Sequence, residues 1–190
     1  MAWDQAILDA VAAHRAGWAT TPARGLMTAG RSIGAYVAVA VVTLGVAWRY
    51  RAWRPVVCSL VAAIVATGLA EFAKELIGRS RPPADLAAVS AGGLSMPSSI
   101  GALTAAAATP LVLAGMGSAT RAGRSLAALL AIGTATVGAC MVYLGAHWPS
   151  DVLVGWALGA TIGAVLFHLA TARTRGQTST TSRPSSSRTG

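Results

Sequence analysis

Long apolar stretches that carry no charge alternate with short polar segments along the whole chain. The uncharged runs are Ser32 to Trp48, Pro55 to Ala70, Leu86 to Thr120, Ser125 to Ala146 and Val152 to Ala172. A membrane-spanning helix needs about 20 predominantly apolar residues, so runs of this kind read as spans. Leu86 to Thr120 is too long for one, and its first part (Ala91, Gly92, Gly93, Ser95, Pro97) has the composition of a loop, which moves the helix start to Pro97. The pattern therefore predicts an all-α polytopic membrane bundle of about five transmembrane helices. They run from Gly30 to Trp48, Val56 to Lys74, Pro97 to Met116, Ser125 to Gly145 and Pro149 to Ala172. Glu71 and Lys74 fall in the last turn of the second. Ahead of the spans, Trp3 to Trp18 sets Ile7, Leu8, Val11 and Ala12 on one side and Asp4, Asp9, His14 and Arg15 elsewhere, the pattern of an amphipathic helix lying in the interface.

Composition agrees with a bilayer as solvent: of 190 residues, 54% are apolar and 11% charged, well short of the charged share of a soluble domain. One membrane-embedded domain is expected over 1–174. Arg175 to Gly190 is Ser, Thr, Arg, Pro and Gly without apolar periodicity, and reads as a disordered tail. Asp4 and Asp9, with no basic n-region, argue against a cleavable signal peptide. Arg49, Arg51 and Arg54, Arg121 and Arg124, and the tail arginines mark their segments as cytoplasmic by the positive-inside rule. All six acidic residues, together with Lys74, Arg79 and Arg81, then lie at the outer face of what is expected to be the plasma membrane. Arg15, Arg24 and Arg31 also fall outside, against the rule. The net charge of +9 is explained by topology and anionic lipid contact, and no nucleic-acid partner is expected. Cys58 and Cys140 sit inside spans and read as packing residues, not as a disulfide or a zinc site.

Three outward-facing segments concentrate the chemistry. Lys74-Glu75-Leu76-Ile77-Gly78-Arg79-Ser80-Arg81-Pro82 ends a span with three cations, which suits either snorkelling side chains or an anion site. In Met96-Pro97-Ser98-Ser99-Ile100, Pro97 at the first helical position would leave the Ser98 and Ser99 amides free to cradle a phosphate; plain N-capping by serine is the alternative. In Tyr143 to Asp151, His147 precedes a helix whose first turn holds Asp151. A carboxylate within reach of an imidazole fixes its tautomer and stabilises its cation, although Asp151 could equally serve as a charge at a helix N-terminus.

Together these segments resemble the type 2 phosphatidic acid phosphatase family, whose signature is K-x6-R-P, then P-S-G-H, then S-R-x5-H-x3-D. Lys74, Arg81 and Pro82 match the first motif. Pro97 and Ser98 match half of the second, with Ser99 at the glycine and Ile100 at the histidine position. His147 and Asp151 match the end of the third, with Cys140 and Met141 where serine and arginine belong. The resemblance covers roughly Val56 to Leu166. It implies a helical bundle with its site at the outer face and cofactor-free, metal-free phosphoryl transfer through a phosphohistidine. His147 would be the nucleophile and Asp151 its partner, with Lys74, Arg81, Ser98 and helix-end amides on the phosphate oxygens. A lipid phosphate or diphosphate, such as a polyprenyl carrier, is the implied substrate.

The departures carry consequences. Ile100 cannot donate a proton to the leaving oxygen, a contribution of about 10² to 10⁴ in rate. Met141 cannot neutralise the transferring phosphoryl group, worth on the order of 10² to 10³. A diphosphate substrate, whose leaving group needs a proton less, would soften the first loss, and Arg79 in place of the missing arginine would soften the second. The alternative is a catalytically inactive relative that binds a lipid phosphate or a membrane partner protein, or assembles with its own copies. A vanadium haloperoxidase on the same fold is disfavoured by the spans and the altered anion site.

Overall fold

The computed structural model describes residues 1–30 and 32–180, and among them every regular element is helical. The helices are α1 (Ala2–Ala13), α2 (Gly17–Ala29), α3 (Ile33–Tyr50), α4 (Trp53–Ile77), α5 (Ser99–Met116), α6 (Arg121–Tyr143) and α7 (Pro149–Thr180). Among the described residues four helices are long and apolar enough to cross a membrane: Trp53–Ile77, Ser99–Met116, Arg121–Tyr143 and Pro149–Ala172, with mean hydropathy of 1.6 to 2.1. The first expected span coincides with α3, an 18-residue helix. Large apolar side chains line the outside of the bundle, Ile64 at 74% exposure, Phe72 at 63% and Leu129 at 65%. Such a surface is unfavourable in water and suited to acyl chains. The chain is an integral membrane protein of all-α class.

With lipid outside, the interior cannot rely on hydrophobic contrast and is built from small residues that let backbones approach. Helix α5 occupies the centre, packed against α4, α6 and α7. Ala62, Ala66 and Ala70 of α4 meet Ala102 and Ala106 of α5 in a fully buried cluster flanked by Leu158, Ile162 and Leu166. Against α5, Gly155, Gly159 and Gly163 repeat at every fourth residue of α7. A Cβ added at Gly155 would come within 2.5 Å of the Ser98 carbonyl and one at Gly163 within 2.9 Å of the Ala106 carbonyl; one at Gly159 would strike Ala102. This groove fixes α7 against the N-terminal end of α5, where the polar segments converge.

The amino-terminal region differs from expectation. A single interfacial helix over Trp3 to Trp18 is replaced by two, α1 and α2, separated near Arg15. The Arg15 guanidinium donates to the carbonyls of Tyr143 (3.0 Å) and Leu86 (2.9 Å), ending α1 by drawing that residue to the tip of α6. Helix α2 has Pro22 within it, but it rests on α6, where Tyr143 binds the backbone of Ala16 and the Thr20 hydroxyl. Nor does Asp4 lie on a polar outer side: it is fully buried beside Leu8, one turn along. At the other end, α7 continues to Thr180, past the domain limit expected at 174. The rest of the expected tail, 181–190, and Arg31 lie outside the described residues.

Candidate active site

Helix α4 stops at Gly78, whose left-handed backbone (φ +66°) turns the chain into the 79–98 loop while its amide closes on the Lys74 carbonyl. A residue with a Cβ resists that conformation, so glycine here sets where Arg79 and Arg81 emerge. The loop is held down by Ser95, whose amide and hydroxyl bind the Arg79 carbonyl and whose hydroxyl also binds that of Ser80. Its own carbonyl faces the His147 ring.

His147 lies in the short turn between α6 and α7, 4% exposed. Its Nδ1 sits 3.0 Å from the Ser95 carbonyl and 3.5 Å from Asp151 Oδ2. Both neighbours accept only, so Nδ1 carries the proton and Nε2 presents its lone pair. Nε2 faces Arg81 Nη1 at 3.2 Å, and Arg81 is itself braced by the carbonyls of Ala146 (2.7 Å) and Gly92 (2.7 Å). Burial holds the imidazole below its usual pKa; Asp151 pulls the other way, and the cations of Arg81 and Lys74 add to the lowering. Burial and the two cations thus favour the neutral ring.

Asp151 serves two ends. Oδ2 accepts the Trp148 amide at 2.9 Å, capping α7, and lies toward His147; Oδ1 accepts from Arg79 Nη1 at 2.6 Å. The nearest acceptor to the ring is therefore the Ser95 carbonyl, with the carboxylate as the nearby charge. Lys74, almost buried near the end of α4, donates to Ser99 Oγ and Glu71 Oε1, each at 2.9 Å.

Lys74, Arg81, Ser99, His147 and Asp151 therefore gather at one end of the bundle. Ser98 differs from expectation, because helix α5 starts at Ser99 and Ser98 is its N-cap. Its amide is not free but donates to the Asp151 carbonyl at 3.0 Å, and its buried hydroxyl accepts from the Gly101 amide at 3.2 Å. Arg79 is likewise committed elsewhere. Besides Asp151 it binds the Ser150 hydroxyl at 2.6 Å and Asp4 Oδ2 at 2.7 Å, and it stacks over Trp148. It is bound to both carboxylates, Asp151 and Asp4.

The altered motif positions share one environment. Ile100, Cys140 and Met141 line an apolar cavity of about 100 Å³ together with Leu26 and Met27 of α2 and the Gly30 that ends it. Met141 is buried with its sulfur 3.6 Å from the Ser98 hydroxyl. Cys58 and Cys140 are both free thiols. Among the described residues, no group of three or more His, Cys, Asp or Glu side chains is arranged to hold a metal ion. Asp4, Ser95, Glu71 and Ser150 were not singled out by sequence reasoning. Asp4 appeared there only on the polar side of Trp3 to Trp18, and Glu71 only as a charge in the last turn of a span.

These features define an all-helical integral membrane protein with a buried histidine beside a carboxylate, faced by arginine and lysine at one end of the bundle. The PAP2 superfamily model matches residues 55–175, and the chain belongs to that family. It is 38% identical over 116 residues to the decaprenylphosphoryl-5-phosphoribose phosphatase of Mycobacterium tuberculosis, in strains CDC 1551 and H37Rv. That match spans 60% of this chain and 60% of the relative's length. Among solved structures, the fold is similar to a transmembrane PAP2-type phosphatidylglycerolphosphate phosphatase from Bacillus subtilis, with a TM-score of 0.73 and 23% identity over 92% of this chain and 86% of that one. Aquifex aeolicus LpxE is similar with a TM-score of 0.66 and 16% identity, over 86% and 94% of the two chains.

Proposed function

We propose that the chain is a lipid-phosphate phosphatase working at the outer membrane face through a phosphohistidine on His147. The observation that carries this reading is the orientation of that ring, with Nδ1–H toward the Ser95 carbonyl and Nε2 toward Arg81. Nε2 attacks phosphorus while the bond to the leaving oxygen breaks, and the positive charge that develops on the imidazole is stabilised by Asp151. The entering phosphoryl group takes over the Arg81 donor now on Nε2, with Lys74 and Ser99 completing the cradle for its oxygens. Water then attacks phosphorus, the P–N bond breaks, and inorganic phosphate leaves. No cofactor takes part in this scheme.

A polyprenyl-linked phosphate is the favoured substrate class, supported by the mycobacterial relatives. Within it, Ile100 supplies no proton, so a diphosphate, which expels a phosphate ester, is favoured over a monoester that must expel an alkoxide. The apolar cavity at Ile100, Cys140 and Met141 favours a second reading, an inactive family member that binds a lipid phosphate or a partner protein. Phosphate release by the detergent-purified full chain separates the two. Polyprenyl diphosphate, polyprenylphosphoryl-phosphoribose and phosphatidic acid are compared, with His147→Ala as control. Release that depends on His147 and is fastest from the diphosphate is expected. Binding of these lipids with no release above the control would establish the second reading.

A further inference from the structure

Asp4 precedes Arg79 by 75 residues and Ser150 by 146, and lies outside the matched segment 55–175. It is nevertheless fully buried against it. Oδ1 accepts the Ser150 amide at 2.9 Å; Oδ2 accepts the Ser150 hydroxyl at 2.6 Å and Arg79 Nη2 at 2.7 Å. Arg79 passes the connection on, since its Nη1 binds the same Ser150 hydroxyl and Asp151 Oδ1, both at 2.6 Å. One guanidinium is therefore shared between two buried carboxylates, one from α1 and one beside the reacting imidazole. A buried carboxylate without a partner is strongly unfavourable, so the arrangement has to be held as a unit.

We propose that Asp4 is a positioning residue for the His147–Asp151 pair: it anchors Arg79 and the first turn of α7, and by sharing the guanidinium keeps negative charge on Asp151 available to the imidazole. This rests on the reading of His147 as the reacting group. Burial raises the Asp4 carboxyl, but the Ser150 donors and Arg79 outweigh it and keep the group ionised, its pKa below the ordinary value. With Asp4 neutral, Arg79 turns wholly to Asp151. The three residues pass from a net charge of about −1 to about 0, and the imidazolium beside them loses stabilisation. The other charges around His147 are Arg81 and Lys74, with Glu71 on Lys74; the Met1 amino group lies 3.8 Å from Asp4.

The test is titration of the histidines of the full chain in detergent micelles by NMR, run beside steady-state kinetics. The three histidines are His14, His147 and His168, and His147→Gln identifies the relevant signal. In Asp4→Asn the His147 titration is expected to fall by about half a pH unit or more, while His168 stays in place. The kcat is expected to drop about ten- to hundredfold with KM within about twofold, as for loss of a residue supporting a reacting group. Asp4→Glu, which keeps the charge, is expected to hold the His147 titration near its parent value. An unmoved His147 titration in folded Asp4→Asn overturns the proposal, and so does a fall in Asp4→Glu as large as in Asp4→Asn, because packing alone would then explain it. Should the parent chain release no phosphate, the phosphatase reading fails while the titration still decides the role of Asp4.

Discussion

His147 owes its chemistry to its neighbours. Burial and the two cations hold its pKa below the ordinary histidine value of about 6.5, against the pull of Asp151. In the proposed mechanism the reactive form is the neutral one, and a lowered pKa keeps it populated in more acidic solution. The acid limb of kcat/KM for the expected phosphatase should therefore lie below about pH 6.5, and a pH–rate profile checks it. Ile100 marks the opposite case, a side chain with no proton to give. Ile100→His should raise monoester turnover by about tenfold or more and diphosphate turnover much less, read as the ratio of the two rates. Lys74, Arg81, His147 and Asp151 were legible in the sequence because each motif is compact and its spacing survives folding. Asp4 and Ser95 were not. A carboxylate on a short helix and a carbonyl in a loop acquire meaning only when distant segments close around His147, and no local spacing records that contact.

At the scale of the helices, the polar end is held by packing of small residues several turns deep. Gly159 faces Ala102 with no room for a Cβ, on the same groove that seats Gly155 under Ser98. Gly159→Leu should separate α5 from α7, lower the melting temperature in detergent by several degrees and disturb the Ser98 amide bond to Asp151. Overpacking of this kind costs about 1 to 3 kcal/mol, and thermal unfolding measures it. The spans themselves were legible from uncharged run length, and helices α3 to α7 begin and end within a few residues of expectation up to Ala172. Helix α2 was hidden, because Thr20, Thr21, Pro22 and Gly25 carry little apolar pattern and the segment is held by its contacts with α6. Propensity is a weak guide where tertiary packing supplies the stability.

For the whole molecule, Arg15 and Arg24 resolve part of a conflict in the charge pattern. Both are bound to carbonyls of the folded polar end, Arg15 to Tyr143 and Leu86, and Arg24 to Ala88. Their placement is accounted for by these bonds, so they need not act as topological signals; in the proposed orientation that signal comes from Arg51 and Arg54 at the α3–α4 junction and from Arg121 and Arg124 in the first turn of α6. We expect a single cysteine at Ala91, in a chain with Cys58 and Cys140 replaced, to react with an impermeant maleimide in intact cells. A cysteine at Ser118 should react only after lysis, and the reverse pattern would place the site inside. The central claim is that His147 carries the phosphoryl group. It is tested most directly by mixing the purified chain with labelled polyprenyl diphosphate, quenching in alkali, where phosphohistidine survives, and mapping the label. Label on His147 that is absent from His147→Ala is the result the account requires; turnover without label on that residue, or label unchanged in the variant, would contradict it.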